Sequence, residues 1–344
     1  CINSVSRRTL NEVLLSEAEK YPNVSVKFHQ KLTGGNLEAG EATFVNTETG
    51  EQIKEKADLI VGCDGAYSMV RRMMMKRPLF DFSQEYIEHG YLELYIPPTE
   101  KAKKFMELNY LHIWPRKRYM MIALPNFDQS WTVTLFMPLD VFENLNCPDN
   151  LIEFFKDNFP DAMELIGEES LIKSFFRTKP SNLLCVKCKP YHVGDKTVIL
   201  GDAAHAMVPF YGQGMNCGME DCIILDDLMT KFNEDLSQVL PSYTEFRHPD
   251  AVAICDLALY NYVEMRDLVN SKTFLLRKKV DSVLNYLFPT KWVPLYSTVT
   301  FSRERYHRCI QNKQWQDKVL KRVLYGLAMF TVVMASLPLM WSTP

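Results

Sequence analysis

Residues 196–216 read KTVILGDAAHAMVPFYGQGMN, and this stretch constrains the fold more than any other. A continuous apolar run ends directly in Gly201 and Asp202, without the polar alternation of a half-exposed strand. Such a run is typical of a buried parallel strand. Open α/β sheets bind ligands beyond the carboxyl ends of their strands, and a helix N-terminus favours negative charge. The stretch therefore predicts an α/β layer with a ligand site that starts at Asp202.

A second apolar run, ADLIVGCDG at residues 57–65, also ends in an acid and a glycine. It opens the spaced pattern D-G-x-x-S-x-x-R, formed by Asp64, Gly65, Ser68 and Arg71. Glycine allows a close approach of the backbone to a ligand, and arginine can hold a phosphate. Because a single Asp-Gly pair is usually only a turn, this pattern gains meaning only beside the first one.

The rest of the chain divides by pattern into an interleaved arrangement. Residues 1–80 are predicted to be the second half of a nucleotide-binding domain, and residues 191–235 return the chain to it. Between them, β-rich runs separated by turn residues predict an antiparallel substrate sheet over residues 81–190. Helical patterns cover residues 236–320. The predicted fold class is thus α/β, a Rossmann layer of the glutathione-reductase type that lacks its first βαβ unit, combined with an antiparallel sheet and C-terminal helices.

Composition excludes several classes of function. The net charge is −3 and no basic block is present, so nucleic acid is not an expected partner. The nine cysteines are odd in number and scattered, which indicates a reducing compartment rather than a disulfide framework. Cys185 and Cys188 form a C-x-x-C that no second pair of ligands follows, so no metal site is predicted.

The C-terminal residues favour a membrane anchor. Residues 323–341 contain no charged side chain over a length close to the roughly 20 residues that span a bilayer. Basic residues cluster just before this run, which predicts a cytosolic catalytic body. The anchor is placed at residues 321–344. The alternative is a buried core helix.

The two acid–glycine patterns together resemble those of the single-component, FAD-dependent aromatic hydroxylases. Within that family, four segments resemble the members that hydroxylate kynurenine: NYLHIWPR (109–116), LYNYVEMR (259–266), VPLYSTVTFSRERYH (293–307) and the apolar tail. The resemblance covers essentially the whole chain. It implies FAD and NADPH as cofactors, L-kynurenine and O2 as substrates, and the mitochondrial outer membrane as the location.

The resemblance also implies the residues that contact the flavin. Asp202 would hold the ribityl hydroxyls, while Met215 and Asn216 would contact the isoalloxazine ring. Arg7 and Leu32 match positions near the nucleotide half of FAD. The complete set of cofactor-binding candidates is Arg7, Leu32, Asp64, Gly65, Met69, Asp202, Gly214, Met215 and Asn216.

Substrate contacts are predicted on the apolar side of the site. The resemblance places Asn261 and Tyr296 at substrate-binding positions, with Phe136, Pro209 and Phe210 as apolar walls. Asn261 also shares a helical face with apolar residues, so its amide must find a partner. It could bind either the carboxylate or the ammonium of an amino acid. Without the resemblance, a satisfied core asparagine is an equally good interpretation.

The implied reaction is 3-hydroxylation of L-kynurenine, in which NADPH reduces FAD and O2 forms a C4a-hydroperoxide. Since the cofactor carries the chemistry, no catalytic side chain is predicted. His205 is expected to be satisfied locally rather than to act as an acid or base.

The family's G-x-G-x-x-G loop, which grips the FAD pyrophosphate, is absent from these 344 residues. We expect that loop and its βαβ unit upstream of Cys1, and we expect this chain alone to bind FAD poorly and to lack activity.

Two other functions remain open at this point. A membrane-anchored flavin epoxidase or reductase could act on a lipid, and the apolar tail is compatible with it. A non-catalytic, tail-anchored binding protein with a flavin fold would explain the missing glycine loop.

Overall fold

The computed structural model describes the backbone of residues 7–341 and the side chains of residues 8–331. The helices are α1 (Arg7–Ala18), α2 (Met69–Met74), α3 (Glu100–Phe105), α4 (Leu139–Asn144), α5 (Pro148–Asn158), α6 (Pro160–Ile166), α7 (Glu168–Arg177), α8 (Asp202–His205), α9 (Gly214–Lys231), α10 (Leu236–Arg266), α11 (Lys272–Leu287), α12 (Leu295–Phe301) and α13 (Tyr306–Trp341). The strands are β1 (Gln30–Asn36), β2 (Glu41–Asn46), β3 (Gln52–Lys56), β4 (Ile60–Gly62), β5 (Asp81–Ile96), β6 (His112–Arg116), β7 (Tyr119–Pro125), β8 (Trp131–Pro138), β9 (Ser181–Lys189), β10 (His192–Val193) and β11 (Thr197–Ile199).

The two acid–glycine patterns follow neighbouring parallel strands. β4 pairs with β11 in parallel, with Ile60 opposite Thr197 and Gly62 opposite Ile199, and β10 pairs with β11 on its other side. β11 is fully buried, as predicted from its apolar run. β4 is shorter than the apolar run at 57–65, and Val61 is 43% exposed because β4 is the outer strand of this sheet in the described part of the chain.

The larger sheet is antiparallel throughout, in the order β6-β7-β8-β5-β9, as predicted from the β-rich runs. Alternate residues of a strand point to opposite faces. One face carries Val133 and Leu135 into a core shared with α4–α7. The other face carries Met120, Phe136 and Leu183 toward α10. The sheet therefore presents one face to its own helices and the other to the candidate site.

The first strands form a separate three-stranded antiparallel sheet, β1-β2-β3, which contacts α2. The C-terminal half of the chain is helical, and α10, 31 residues long, packs against α9, β9 and α13. The parallel sheet, the antiparallel sheet and α10 thus meet around residues 200–216. The division into five domains stays a prediction.

The membrane-spanning helix predicted at 321–344 is not supported. Among the described residues, none of the helices combines the length and the apolar character that crossing a membrane requires. The apolar run begins inside α13, whose first half carries Lys313, Asp317 and Lys318. Its described side chains, residues 323–331, supply about half of the roughly 20 apolar residues that a span needs. The remainder of the predicted span lies outside the described side chains.

Candidate active site

Two loops that follow β4 and β11 lie side by side and are joined by Arg71. The Leu200 amide donates to the Gly62 carbonyl at 3.0 Å, which continues the strand pairing. Arg71 is 2% exposed, and its guanidinium donates to the carbonyl oxygens of Ala66 and Ala203, the latter at 2.6 Å. Two of its donors therefore fasten the loop after β4 to the turn after β11, and its Nε has no hydrogen-bond partner in the described part of the chain. That Arg71 holds a phosphate stays a prediction.

Asp64 and Gly65 form the turn that starts α2. The Asp64 Oδ2 atom accepts hydrogen bonds from the amides of Met69 at 2.6 Å and Val70 at 3.1 Å. Gly65 has a φ of 79°, in the left-handed region that glycine adopts without strain. Asp64 is exposed and in the described part of the chain its Oδ1 has no hydrogen-bond partner. One carboxylate oxygen thus caps the helix while the other faces outward, and Met69 contributes its backbone amide to the same turn.

Asp202 is an exposed carboxylate at the end of a buried strand. It starts α8, directly after Gly201, whose φ is 56° and ψ is −140°. Among the described residues, its side chain forms neither an ion pair nor a hydrogen bond. The three residues after it are buried. The turn therefore presents a single free acceptor group at the carboxyl edge of the parallel strands.

The N-terminus of α9 lies one short loop further along the chain. Gln213 precedes the helix, is 5% exposed, and its Oε1 accepts from the Tyr306 hydroxyl at 3.3 Å. Met215 is 50% exposed and Asn216 is exposed as well, while a side chain added at Gly214 would meet nothing within 4 Å. The first amides of a helix have no intrahelical acceptor and carry partial positive charge. This helix start can therefore stabilise an anionic ligand.

A buried ionic network lies directly behind these two features. The Asp221 Oδ2 atom is 2.7 Å from His205 Nε2 and accepts from the Gly201 amide at 2.8 Å. Its Oδ1 accepts from Arg247 Nε at 2.6 Å. Arg247 also donates from Nη1 to Glu220 at 2.8 Å and from Nη2 to the Cys217 carbonyl at 3.0 Å. His205 is satisfied locally as expected, and its partner is a carboxylate that lies 16 residues further along the chain.

The protonation of this network follows from its charges. Burial alone would lower the pKa of His205, but the Asp221 carboxylate outweighs burial and raises it to about 10. Burial would raise the pKa of Asp221, and His205 together with Arg247 holds it below its usual value instead. The pair is therefore an ion pair at neutral pH.

His205, Cys217 and Asp221 place their ligand atoms within 4.8 Å of one another, a spacing that a metal ion could use. Arg247 contacts two of these three residues. Its Nη2 lies 3.0 Å from the Cys217 sulfur, and its Nε bonds to Asp221. A second cation would face this guanidinium, so a metal does not fit.

The apolar residues predicted to form substrate walls do come together. The rings of Phe136 and Phe210 lie 4.8 Å apart in an edge-to-face arrangement, and Phe210 stacks on Tyr262 at 3.9 Å. Asn261 is 5% exposed, and its Nδ2 donates to the Phe210 carbonyl at 2.8 Å. The amide thus fixes the backbone of the aromatic wall. The Oδ1 atom has no hydrogen-bond partner in the described part of the chain, and it is the acceptor left for a ligand.

The remaining residues predicted to contact substrate or cofactor lie in different parts of the structure. Tyr296 is 37% exposed and stacks on Tyr211 at 5.6 Å, next to the aromatic wall, and Pro209 is exposed at the loop that carries Phe210. Leu32 packs against the core beneath the parallel sheet. The side chain of Arg7 lies outside the described residues.

Sequence reasoning missed the residues that hold the site in place. Asp221 follows Cys217 by four residues on α9 and belongs to its buried face, and Arg247 lies in the buried stripe of α10. A charged residue within an apolar helical stripe must find a partner, because an unpaired buried charge is costly. Two such residues of opposite charge on consecutive helices could have indicated the pair.

Comparison with known proteins agrees with this geometry. A model of the FAD binding domain family matches residues 2–258. The kynurenine 3-monooxygenase of Anopheles gambiae is 57% identical over 332 residues, which cover 96% of this chain and 68% of the relative. The Sus scrofa kynurenine 3-monooxygenase is 50% identical, over 94% of this chain and 68% of the relative.

Solved structures show the same fold at lower identity. The tetrameric form of 2-methyl-3-hydroxypyridine-5-carboxylic acid oxygenase has a TM-score of 0.58 at 21% identity and covers 77% of this chain and 69% of its own. PqsL, a probable FAD-dependent monooxygenase from Pseudomonas aeruginosa, has a TM-score of 0.58 at 18% identity, over 75% of this chain and 70% of its own.

The family model and the relatives that share half of the sequence or more define the class as FAD-dependent monooxygenases. At the identities found over almost the whole chain, this chain belongs to the kynurenine 3-monooxygenase family. The expected α/β fold with an antiparallel sheet is confirmed at the level of the overall fold. The likeness to the glutathione-reductase layer stays a prediction.

The raised pKa of His205 predicts a specific pH dependence of stability. A group whose pKa is about 10 when folded and near 6.5 when unfolded stabilises the fold fully below pH 6.5. This contribution is lost as the pH rises through about 10. We expect chemical denaturation to show a steeper fall in the free energy of unfolding between pH 6.5 and 10 for the unaltered protein than for His205→Gln. His112→Gln, outside the network, serves as control and should keep the steeper fall. Identical pH profiles for His205→Gln and the unaltered protein would contradict the ion pair.

Proposed function

We propose that this protein hydroxylates L-kynurenine at C3, with FAD as its bound cofactor, NADPH as reductant and O2 as the oxygen source. The observation that carries the proposal is the pairing of two surfaces. A free carboxylate and a helix N-terminus at Asp202 and Gly214 adjoin an aromatic wall that contains one free amide oxygen, on Asn261. The relatives that share about half of the sequence or more carry the name of that activity.

The chain's own residues fit FAD at two points. The Asp202 carboxylate can accept hydrogen bonds from ribityl hydroxyls, because no protein group occupies it in the described part of the chain. The start of α9, with Met215 and Asn216 exposed, can stabilise negative charge on the flavin ring. Bound FAD supplies the redox chemistry, accepting electrons from NADPH and activating O2. Asp64, Gly65 and Met69 shape the neighbouring turn, and their contact with the cofactor is part of the proposal.

The substrate side binds an aromatic amino acid. Phe136 and Phe210 are buried and supply an apolar surface for the ring. The Nδ2 atom of Asn261 donates to the Phe210 carbonyl at 2.8 Å and to the Met265 sulfur at 3.3 Å. Its remaining polar atom is an acceptor, which suits an ammonium rather than a carboxylate. Tyr296 and Pro209 border the same surface. The amide oxygen therefore orients a substrate by its amino group.

The remaining task of the protein is to exclude water. Stacking of Phe210 on Tyr262 and packing of Phe136 against both keep the wall closed. A dry site protects the activated oxygen from side reactions. His205 is 1% exposed and tied to Asp221, so it holds charge behind the strand-end turn.

A lipid-directed flavin enzyme is the alternative within the same fold. A lipid pocket is expected to be apolar throughout, whereas Asn261 places an amide in the wall. The location at the mitochondrial outer membrane, with a cytosolic catalytic body, stays a prediction of the resemblance.

The function is tested on FAD-loaded protein of the full length of the kynurenine 3-monooxygenase relatives, because the 344 residues alone are expected to bind FAD poorly. Substrate is added, NADPH oxidation is followed at 340 nm and product is measured by chromatography. We expect L-kynurenine to accelerate NADPH oxidation and to yield 3-hydroxykynurenine in proportion. A squalene-type lipid in detergent should give neither. Acceleration by the lipid but not by L-kynurenine would overturn the proposal and favour the alternative. No turnover with either compound by protein that retains its FAD would favour a non-catalytic role.

Replacement of Asp202 by alanine tests the flavin contact. Loss of a charged hydrogen bond costs on the order of 1.5–3 kcal/mol, equivalent to a Kd for FAD about 10- to 100-fold higher. Fluorescence titration of FAD measures the change. Asp227→Ala removes an exposed carboxylate further along α9 and should leave the Kd unchanged. An Asp202→Ala protein with unaltered FAD affinity would remove Asp202 from the cofactor site.

Replacement of Asn261 by alanine tests the substrate contact. The change removes the free acceptor and also frees the Phe210 carbonyl, so we expect KM for L-kynurenine to rise on the order of 10-fold, since an unmade buried hydrogen bond costs about 1–3 kcal/mol. FAD content should stay constant. Asn182→Ala, at an exposed position of β9, is the control and should change neither value. If KM for L-kynurenine equals that of the Asn182→Ala control, Asn261 has only a structural role in the core.

A further inference from the structure

The strand-end turn and the start of α9 share one buried anchor. Asp221 lies on α9, seven residues after Gly214, and is 0% exposed. Its carboxylate accepts a hydrogen bond at 2.8 Å from the amide of Gly201, which is the residue directly before Asp202. A side chain added at Gly218 would lie 3.7 Å from the Cα of Gly201, so the turn rests on the helix backbone itself. A single carboxylate, that of Asp221, therefore fixes the position of Asp202 relative to α9.

We propose that Asp221 is a positioning residue for the flavin, which sets the distance between the Asp202 carboxylate and the N-terminus of α9. The proposal rests on the flavin contact of Asp202 described above. It adds that Asp202 and α9 are held in register by a group that does not touch the cofactor.

The orientation of the Asp221 carboxylate is determined from three sides. His205 and the Gly201 amide bind Oδ2, and Arg247 binds Oδ1. Arg247 also reaches the Cys217 carbonyl in the first turns of α9. The network thus holds both the turn that carries Asp202 and the helix start that carries Met215. Rotation of the carboxylate would break at least one charged hydrogen bond, so the spacing is rigid.

Stability alone does not account for this arrangement. A buried ion pair contributes little net stability, since desolvation offsets the attraction, and its best-attested use is to fix a register between elements. Two cations, His205 and Arg247, face two carboxylates, Asp221 and Glu220, so the charges are compensated. The network can therefore fix geometry without leaving an unpaired charge beneath the flavin.

A second buried aspartate in the same protein provides a matched control. Asp250 is 1% exposed, and it too is held between an arginine and a histidine, Arg305 Nε at 2.7 Å and His307 Nδ1 at 2.6 Å. It joins α10 to the start of α13 and lies outside both strand-end loops. A purely structural role predicts equal consequences for equivalent changes at the two positions.

The test compares Asp221→Glu with Asp250→Glu. Glutamate keeps the charge but displaces the carboxylate by roughly 1.5 Å, the length of one carbon–carbon bond. Two quantities are measured: the exchange of the Gly201 amide hydrogen in protein without FAD, by NMR, and the Kd for FAD by fluorescence. We expect Asp221→Glu to speed exchange at Gly201 and to raise the Kd at least about 10-fold, on the scale at which an ångström of misplacement acts. Asp250→Glu should change neither.

Equal Kd values for the two variants, or an unchanged Gly201 exchange rate in Asp221→Glu, would overturn the proposal. If Asp221→Glu does not fold, Arg247→Lys replaces it with Arg305→Lys as control, because lysine keeps the charge but loses the simultaneous contact with Asp221 and Cys217. Equal Kd values for Arg247→Lys and Arg305→Lys, or an unchanged Gly201 exchange rate in Arg247→Lys, would then overturn the proposal. The exchange measurement needs no cofactor, so it separates this inference from the Asp202 contact, which Asp202→Ala tests on its own.

Discussion

The parallel pairing of β4 with β11 is the constraint on which the candidate site depends. Because the two strands run in the same direction and in register, the loops that follow them emerge at one edge. Asp64 and Asp202, 138 positions apart in the printed sequence, are thereby placed in neighbouring turns. Arg71 then fastens the turns by donating to Ala203, so the edge is a fixed surface rather than two independent loops.

The second constraint is α10, which connects the proposed cofactor side to the proposed substrate side. Arg247 and Asn261 both belong to its buried face, and they are 14 residues apart, close to four helical turns and about 21 Å. Arg247 supports the network behind the flavin turn, while Asn261 fixes the carbonyl of Phe210. One helix, which contains Pro249 between these two residues, thus contacts both the strand-end network and the aromatic wall.

Much of this could be predicted from particular residues, and some could not. The apolar run at 197–200 and the acid that follows it predicted the parallel strand and a ligand edge. A short apolar run without polar alternation indicates a buried strand. The buried partners of Asp221 and the structural use of Arg71 were not predicted, since both depend on contacts between residues distant in sequence. The apolar run at 323–341 was interpreted as a membrane span from its length, its lack of charge and the basic residues before it. Its described part is the continuation of a helix that carries charges in its first half.

The buried histidine near the strand-end turn is held by a carboxylate. His205 is close to the reaction edge in sequence, three residues after Asp202, yet its ring is 1% exposed and its proton is held by Asp221. The imidazolium stabilises the carboxylate that accepts from the Gly201 amide. Position and charge are therefore what Asp221, His205 and Arg247 contribute. That the cofactor carries the chemistry without a catalytic side chain stays a prediction.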